Sequence, residues 1–182
     1  KYKIFKWNID KPKDLIKLNK YDHFRIFLIN VEALSTKRGF EACVDYLTKN
    51  KLNFVALDES TTIKNKSAKR TKNILALRQL THIRRILTGS PITKSPLDLF
   101  TQCQFLSPEL LGFSSYLAFR NRYAEMKTMH LRGRSIQVVD EFKNLSELSD
   151  SLQKFSYRVL KEDCLDLPKK TWMKRTVSLT PG

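Results

Sequence analysis

The chain has 182 residues, room for one domain with a real core or for one large piece of something bigger. A hydrophobic fraction of 41% and a mean hydropathy of -0.40 fit a soluble globular protein; no apolar run approaches the ~20 residues that span a bilayer, and Lys1 to Asp10 alternates apolar and charged residues unlike a signal peptide. Thirty-four Lys and Arg against 18 Asp and Glu leave a net charge of +16, which excludes no fold but favours a polyanionic partner, nucleic acid above all, in a salt-sensitive mode.

Cys43, Cys103 and Cys164 are far apart and odd in number, and His23, His82 and His130 are equally scattered. No C-x-x-C pair or His/Cys cluster exists, so a zinc site is not expected. Three free thiols suggest a reducing, intracellular setting, cytoplasm or nucleus, with no membrane partner. A chain that opens on Lys1 rather than Met reads as part of a longer protein.

In chain order, residues 2 to 7 alternate enough for a strand, and Pro12 opens a short helical or loop segment through Leu18. Phe24 to Val31 is β-branched and aromatic, a strand. Residues 39 to 50 place Phe40, Cys43, Val44 and Leu47 at helical spacing. Phe54-Val55-Ala56-Leu57 is a short apolar run of the kind buried in a parallel sheet. A basic tract, Lys64 to Lys72, leads into a helix over 68 to 80, and 83 to 87 is a further strand. Ser95, Pro96 and Asp98 read as cap, first-turn residue and dipole partner of a helix with Leu99, Cys103 and Leu106 on one face. Residues 113 to 123 are aromatic and helical, 126 to 137 form a loop or hairpin excursion around Gly133, and 144 to 155 carry a Leu145/Leu148/Leu152/Phe155 stripe. Thr171 to Thr180 reads as a late strand. Strands alternating with helices predict an α/β layer with a mostly parallel sheet.

Two turns carry the chemistry. Asp58-Glu59-Ser60-Thr61 follows an apolar strand, and ligands of open α/β sheets sit at the carboxyl ends of such strands. Adjacent carboxylates there suit Mg²⁺ binding and activation of a water in nucleotide hydrolysis; a strand ending in a polar turn uses the same residues. Ile86-Leu87-Thr88-Gly89-Ser90-Pro91 repeats the pattern, with Gly89 expected to adopt a backbone conformation that other residues resist. The hydroxyls of Thr88 and Ser90 are placed to hydrogen-bond the Asp58/Glu59 edge.

Taken together these residues resemble the Swi/Snf-type ATPases of superfamily-two helicases and translocases. Asp58-Glu59-Ser60-Thr61 resembles their DEAH-like motif II, with Ile63-Lys64-Asn65 matching the tract after it. Leu87-Thr88-Gly89-Ser90-Pro91 resembles their motif III. Leu99-Phe100, Phe105-Leu106-Ser107-Pro108, Phe119 and Tyr123, and then Arg158, Lys161, Asp163 and Leu167-Pro168-Lys169-Lys170 continue the family pattern over most of 24 to 180. Leu28 to Glu32 is a weaker match to motif Ib. Motif II normally ends in His, where this chain has Thr61, and Ser90 replaces a Thr.

The resemblance implies a RecA-like three-layer α/β sandwich, with residues 1–182 forming the later part of the first helicase lobe and a helical or hairpin insertion over about 109–165. It implies that Asp58 holds Mg²⁺, that Glu59 polarises the attacking water, and that Thr61, Thr88, Gly89 and Ser90 couple nucleotide state to grip on nucleic acid. Lys64, Lys66, Lys69 and Arg70 are candidate contacts to its phosphates, double-stranded DNA being the family's usual track. The cofactors implied are ATP and Mg²⁺, bound by the intact enzyme and not tightly by this segment, since G-x-x-x-x-G-K-[ST] is absent and the five glycines offer no substitute. That loop is expected upstream, and a second RecA-like lobe downstream, both as partners of this segment. The compact Lys-rich form suggests a virus or phage, hence a host cytoplasm. Two other readings remain open: a basic nucleic-acid-binding module that kept the fold without catalysis, and a protein-docking domain using 113 to 155.

Overall fold

A computed structural model describes residues 1–11, 13–131, 133–164, 166 and 171–176. Its first half is built from two parallel strand pairs. Strand β1 (Tyr2–Lys6) pairs with β2 (Phe24–Leu28), Ile4 opposite Ile26, and helix α1 (Lys13–Asn19) lies between them in sequence. After α2 (Lys37–Lys49), β3 (Phe54–Leu57) pairs with β4 (Ile83–Ile86), Leu57 opposite Ile86, through α3 (Lys69–Leu77). Helix α4 (Leu99–Leu106) follows, then α5 (Tyr116–Tyr123), an antiparallel hairpin of β5 (Ala124–Leu131) and β6 (Arg134–Phe142), α6 (Leu145–Gln153) and the short α7 (Lys161–Cys164). This is an α/β fold with parallel and antiparallel sheets, consistent with part of a RecA-like lobe.

Two apolar clusters meet at α4. Leu34, Leu47, Leu57, Ile63, Ile74 and Phe105 pack one side of the parallel strands against α2, α3 and α4. Leu99, Phe100, Cys103, Phe119, Tyr123 and Leu148 pack α4 against α5, α6 and the base of the hairpin. Phe119 and Tyr123, read above only as family landmarks, are core residues: the Tyr123 hydroxyl donates to Glu147 Oε1 at 3.0 Å, tying α5 to α6. Burial and that bond push the Tyr123 phenol up to about 12.

The strands are not buried on both faces as expected. Tyr2, Ile4 and Phe24 of one strand pair, and Phe54 and Ile83 of the other, are exposed, Phe54 59% and Phe24 70%. Helices α1 and α2 pack on Phe5 and Phe27 of the first pair, and α2, α3 and α4 on Val55, Leu57 and Ile86 of the second, so alternation leaves apolar residues on the opposite faces open. Residues 171 to 176 carry no strand, and the remainder of that expected strand, like Leu167 to Lys170 and Pro12, lies outside the described residues. The aromatic helix begins at Tyr116 rather than 113, where the Ser115 side chain accepts the Ala118 N–H.

The start of α2 is set by one glycine. Thr36 caps the helix, its hydroxyl oxygen accepting the Gly39 N–H at 3.1 Å while donating to the Ala33 carbonyl at 2.7 Å. A Cβ on Gly39 would stand 2.2 Å from that carbonyl oxygen, so only glycine lets α2 lie on the single 3₁₀ turn Val31–Ser35 after β2. Gly39→Ala is expected to lower stability by about 1–3 kcal/mol through this overpacking, despite alanine's better helix propensity; an unchanged urea midpoint would contradict the close approach.

Candidate functional site

Parallel pairing brings the carboxyl ends of β3 and β4 side by side. The Leu87 N–H donates to the Leu57 carbonyl at 2.9 Å, and the Ser60 N–H donates to the Leu87 carbonyl at 3.0 Å. Asp58 and Glu59 therefore stand at the lip of the sheet, both exposed. Asp58 Oδ1 accepts the Glu59 N–H at 2.9 Å. Glu59 itself is left-handed, φ 47 and ψ 57, one of two non-glycine residues with positive φ among those described. A left-handed residue bearing a side chain costs on the order of 1 kcal/mol. The turn then dives inward: Ser60 and Ile63 are buried, and Thr61 is half-buried.

The turn after β4 behaves differently from its sequence reading. Thr88 Oγ1 accepts the Ser90 N–H at 3.2 Å, and Ser90 Oγ donates to the Ile92 carbonyl at 2.9 Å. Both hydroxyls serve their own turn and neither reaches the carboxylates. Gly89 has no positive φ, and a Cβ there would meet nothing within 4 Å, so this backbone does not demand glycine. Beyond the Ser60 to Leu87 backbone bond, the side-chain connection between the two turns runs through Ser60 and α4. Ser60 Oγ donates to Gln102 Oε1, Gln102 Nε2 donates to the Pro91 carbonyl, and Thr101 Oγ1 donates to the Ile63 carbonyl.

The candidate basic contacts are dispersed. Lys64 is one-third exposed and bonds Thr93 Oγ1, with the Asp98 carboxylate 3.8 Å away. Arg70 Nε donates to the Thr62 carbonyl at 2.9 Å, and Lys66 Nζ lies 3.8 Å from the centre of the Tyr116 ring. Lys69 is exposed at the start of α3. Ser95 caps the turn that leads into α4 and Asp98 lies in its first turn, as expected. The Asp98 carboxylate turns back to accept the Thr93 hydroxyl at 2.9 Å and the Lys94 N–H at 3.1 Å, because the first turn, Pro96–Asp98, is 3₁₀ and Ser95 already caps it. Burial works to raise the Asp98 carboxyl; the hydrogen bonds from Thr93 and Lys94, with Lys64 nearby, outweigh it and hold the group below the usual carboxylate range.

No group of three His, Cys, Asp or Glu able to cage a metal exists among the described residues. Asp58 nevertheless fits Mg²⁺ chemistry: one carboxylate oxygen is held by a backbone N–H and the side chain faces solvent at the strand edge. Mg²⁺ characteristically takes one or two carboxylates and completes its shell with water and substrate phosphate.

This edge geometry coincides with a sequence match. The profile of the SNF2-related domain matches residues 5–182. The chain belongs to that family. It is 30% identical over 143 residues to mouse "DNA annealing helicase and endonuclease ZRANB3", covering 78% of the chain and 13% of that protein. It is 32% identical over 140 residues to human "TATA-binding protein-associated factor 172", covering 76% of the chain and 7% of that protein. A fission yeast "TATA-binding protein-associated factor mot1" is 35% identical over 130 residues, covering 70% of the chain and 6% of that protein. The chain thus spans a small part of these SNF2-family relatives.

Gln102 and Thr101 were not picked out from sequence. Their signal was present: two adjacent polar residues between Leu99-Phe100 and Cys103 of an otherwise largely apolar helix, where a buried amide or hydroxyl must find partners. Two outcomes follow from the site's geometry. Glu59→Gly is expected to be about 1 kcal/mol more stable than Glu59→Ala, since only glycine is unstrained at that φ; equal denaturation midpoints would remove the strain argument. With its folded pKa depressed, Asp98 contributes stability that is fully present above its unfolded value near 3.9 and is lost as pH falls through the folded value. Asp98→Asn should therefore be less stable at neutral pH and show a shallower loss below about pH 4 in acid titrations followed by circular dichroism.

Proposed function

We propose that this chain is the later part of the first RecA-like lobe of an ATP-dependent DNA translocase or helicase of the Swi/Snf type. The observation that carries the reading is the paired edge of β3 and β4. It sets two carboxylates beside the Thr88-Gly89-Ser90 turn in a chain whose family match extends over residues 5–182. The uncovered apolar faces of the two parallel strand pairs support it, because such faces call for another packed layer. We assign that layer to the rest of the lobe, including the phosphate-binding loop that this sequence does not contain.

In this reading Asp58 would hold Mg²⁺, which supplies charge neutralisation at the nucleotide phosphates. Glu59, exposed and in no ion pair among the described residues, orients a water and takes up its proton at the carboxylate. The left-handed backbone aims that side chain away from the core while Ser60 anchors the next residue inside it. Thr61, in place of the family's histidine, keeps a hydrogen-bonding hydroxyl but carries no charge. The Thr88-Gly89-Ser90 turn senses the same edge through backbone and core rather than by direct side-chain contact. Lys69 is the best placed of the basic candidates for a DNA phosphate, Lys64 and Arg70 being engaged within the fold.

The expected outcome is DNA-stimulated ATP hydrolysis by a protein joining this chain to its phosphate-binding loop and second lobe, reduced about 10²–10⁴-fold by Glu59→Gln. The 182-residue chain alone is expected to turn over no ATP. A colourimetric phosphate assay decides: full activity in the Glu59→Gln protein would favour a non-catalytic nucleic-acid-binding role for this edge.

A further inference from the structure

Helix α4 turns an apolar inner face to the core, and one amide interrupts it. Gln102 and Ser60 are each 0% exposed. Gln102 Oε1 accepts the Ser60 hydroxyl at 2.6 Å, while Nε2 donates to the carbonyl of Pro91 at 2.8 Å and of Asp98 at 2.9 Å. The amide has one workable orientation in this cage, since turning it over would set its oxygen against two carbonyl oxygens. Buried polar groups without partners are costly, so separating Ser60 from Pro91 strands several groups at once. Ser60 follows Glu59 in the chain and Pro91 follows Ser90. One side chain outside both turns therefore bonds to both of them.

We propose that Gln102 is a positioning residue that locks the Asp58-Glu59 turn to the Thr88-Gly89-Ser90 turn, so that displacement of either is transmitted to the other. It acts through Ser60 and Pro91 and touches neither nucleotide nor nucleic acid. The inference rests on the reading of Glu59 as the residue that orients water.

The test uses the intact protein and three variants: Gln102→Met, of similar volume without the amide, Ser60→Ala, and the two combined. DNA-stimulated kcat should fall roughly tenfold in each single variant, as expected for a small misplacement of a reacting group. The KM for ATP should stay within about twofold, because the loss is not in substrate binding. The combined variant should be no slower than the worse single one, since both remove the same link. Hydrogen exchange of the nucleotide-free protein should speed up at amides 58–63 and at 88–90 and 92 together, with 124–142 unchanged. A wild-type kcat in Gln102→Met, or losses that multiply in the combined variant, would overturn the proposal. If Gln102→Met does not fold, the smaller Ser60→Ala change decides by the same readouts. If the wild type hydrolyses no ATP, the proposed function falls and exchange alone judges the lock: both turns loosening together supports it, and one or neither loosening refutes it.

Discussion

Parallel pairing of β3 with β4 is the constraint on which the rest of this structure depends. Parallel strands point their carboxyl ends the same way, so two turns almost thirty residues apart in sequence leave the sheet at one edge. The hydrogen bonds Leu87 to Leu57 and Ser60 to Leu87 extend the ladder past the last strand residues and bind the turns to it. Everything chemical about the site follows from that edge: the exposure of Asp58 and Glu59, the inward plunge at Ser60, and the nearness of Thr88 to Ser90.

Helix α4 makes the edge rigid. Its Phe105 enters the cluster beneath the strands and its Leu99, Phe100 and Cys103 enter the cluster shared with α5 and α6. Burial raises the thiol of Cys103, as of Cys43, to about 12, so both behave as small apolar fillers. A helix clamped on two sides is a firm base for polar groups, and Thr101 and Gln102 use it to hold the turn at 60–63. The αL conformation of Glu59 fits this arrangement. Backbone strain persists only where surrounding structure over-determines it, and here the buried residue after Glu59 is anchored by two hydrogen bonds, to the Leu87 carbonyl and to Gln102.

Much of the fold was legible because local patterns and local structure agree. Periodicity located α2 and α6 within a few residues, the apolar runs located β2 and β3, and Ser95-Pro96 marked the start of the α4 region. Errors fell where local rules compete with packing. Phe54 was expected inside because short apolar runs usually are, yet it is exposed. Asp98 stands in the first helical turn as expected, but packing also makes its carboxylate close a turn with Thr93 and Lys94.

The candidate site divides along the same line. Sequence by itself determined which residue types stand at the ends of two strands, and so the chemistry on offer: adjacent carboxylates, small hydroxyl residues, an absent phosphate-binding loop, and a basic chain. Those are properties of composition and order, which survive without knowledge of contacts. Only the tertiary structure decided how the two turns communicate. The hydroxyls of Thr88 and Ser90 satisfy their own turn, and the link passes through a glutamine far along the chain from Ser60. The reason is physical: a buried amide must be satisfied by whatever polar groups the fold brings to it, and sequence spacing carries no record of which those are.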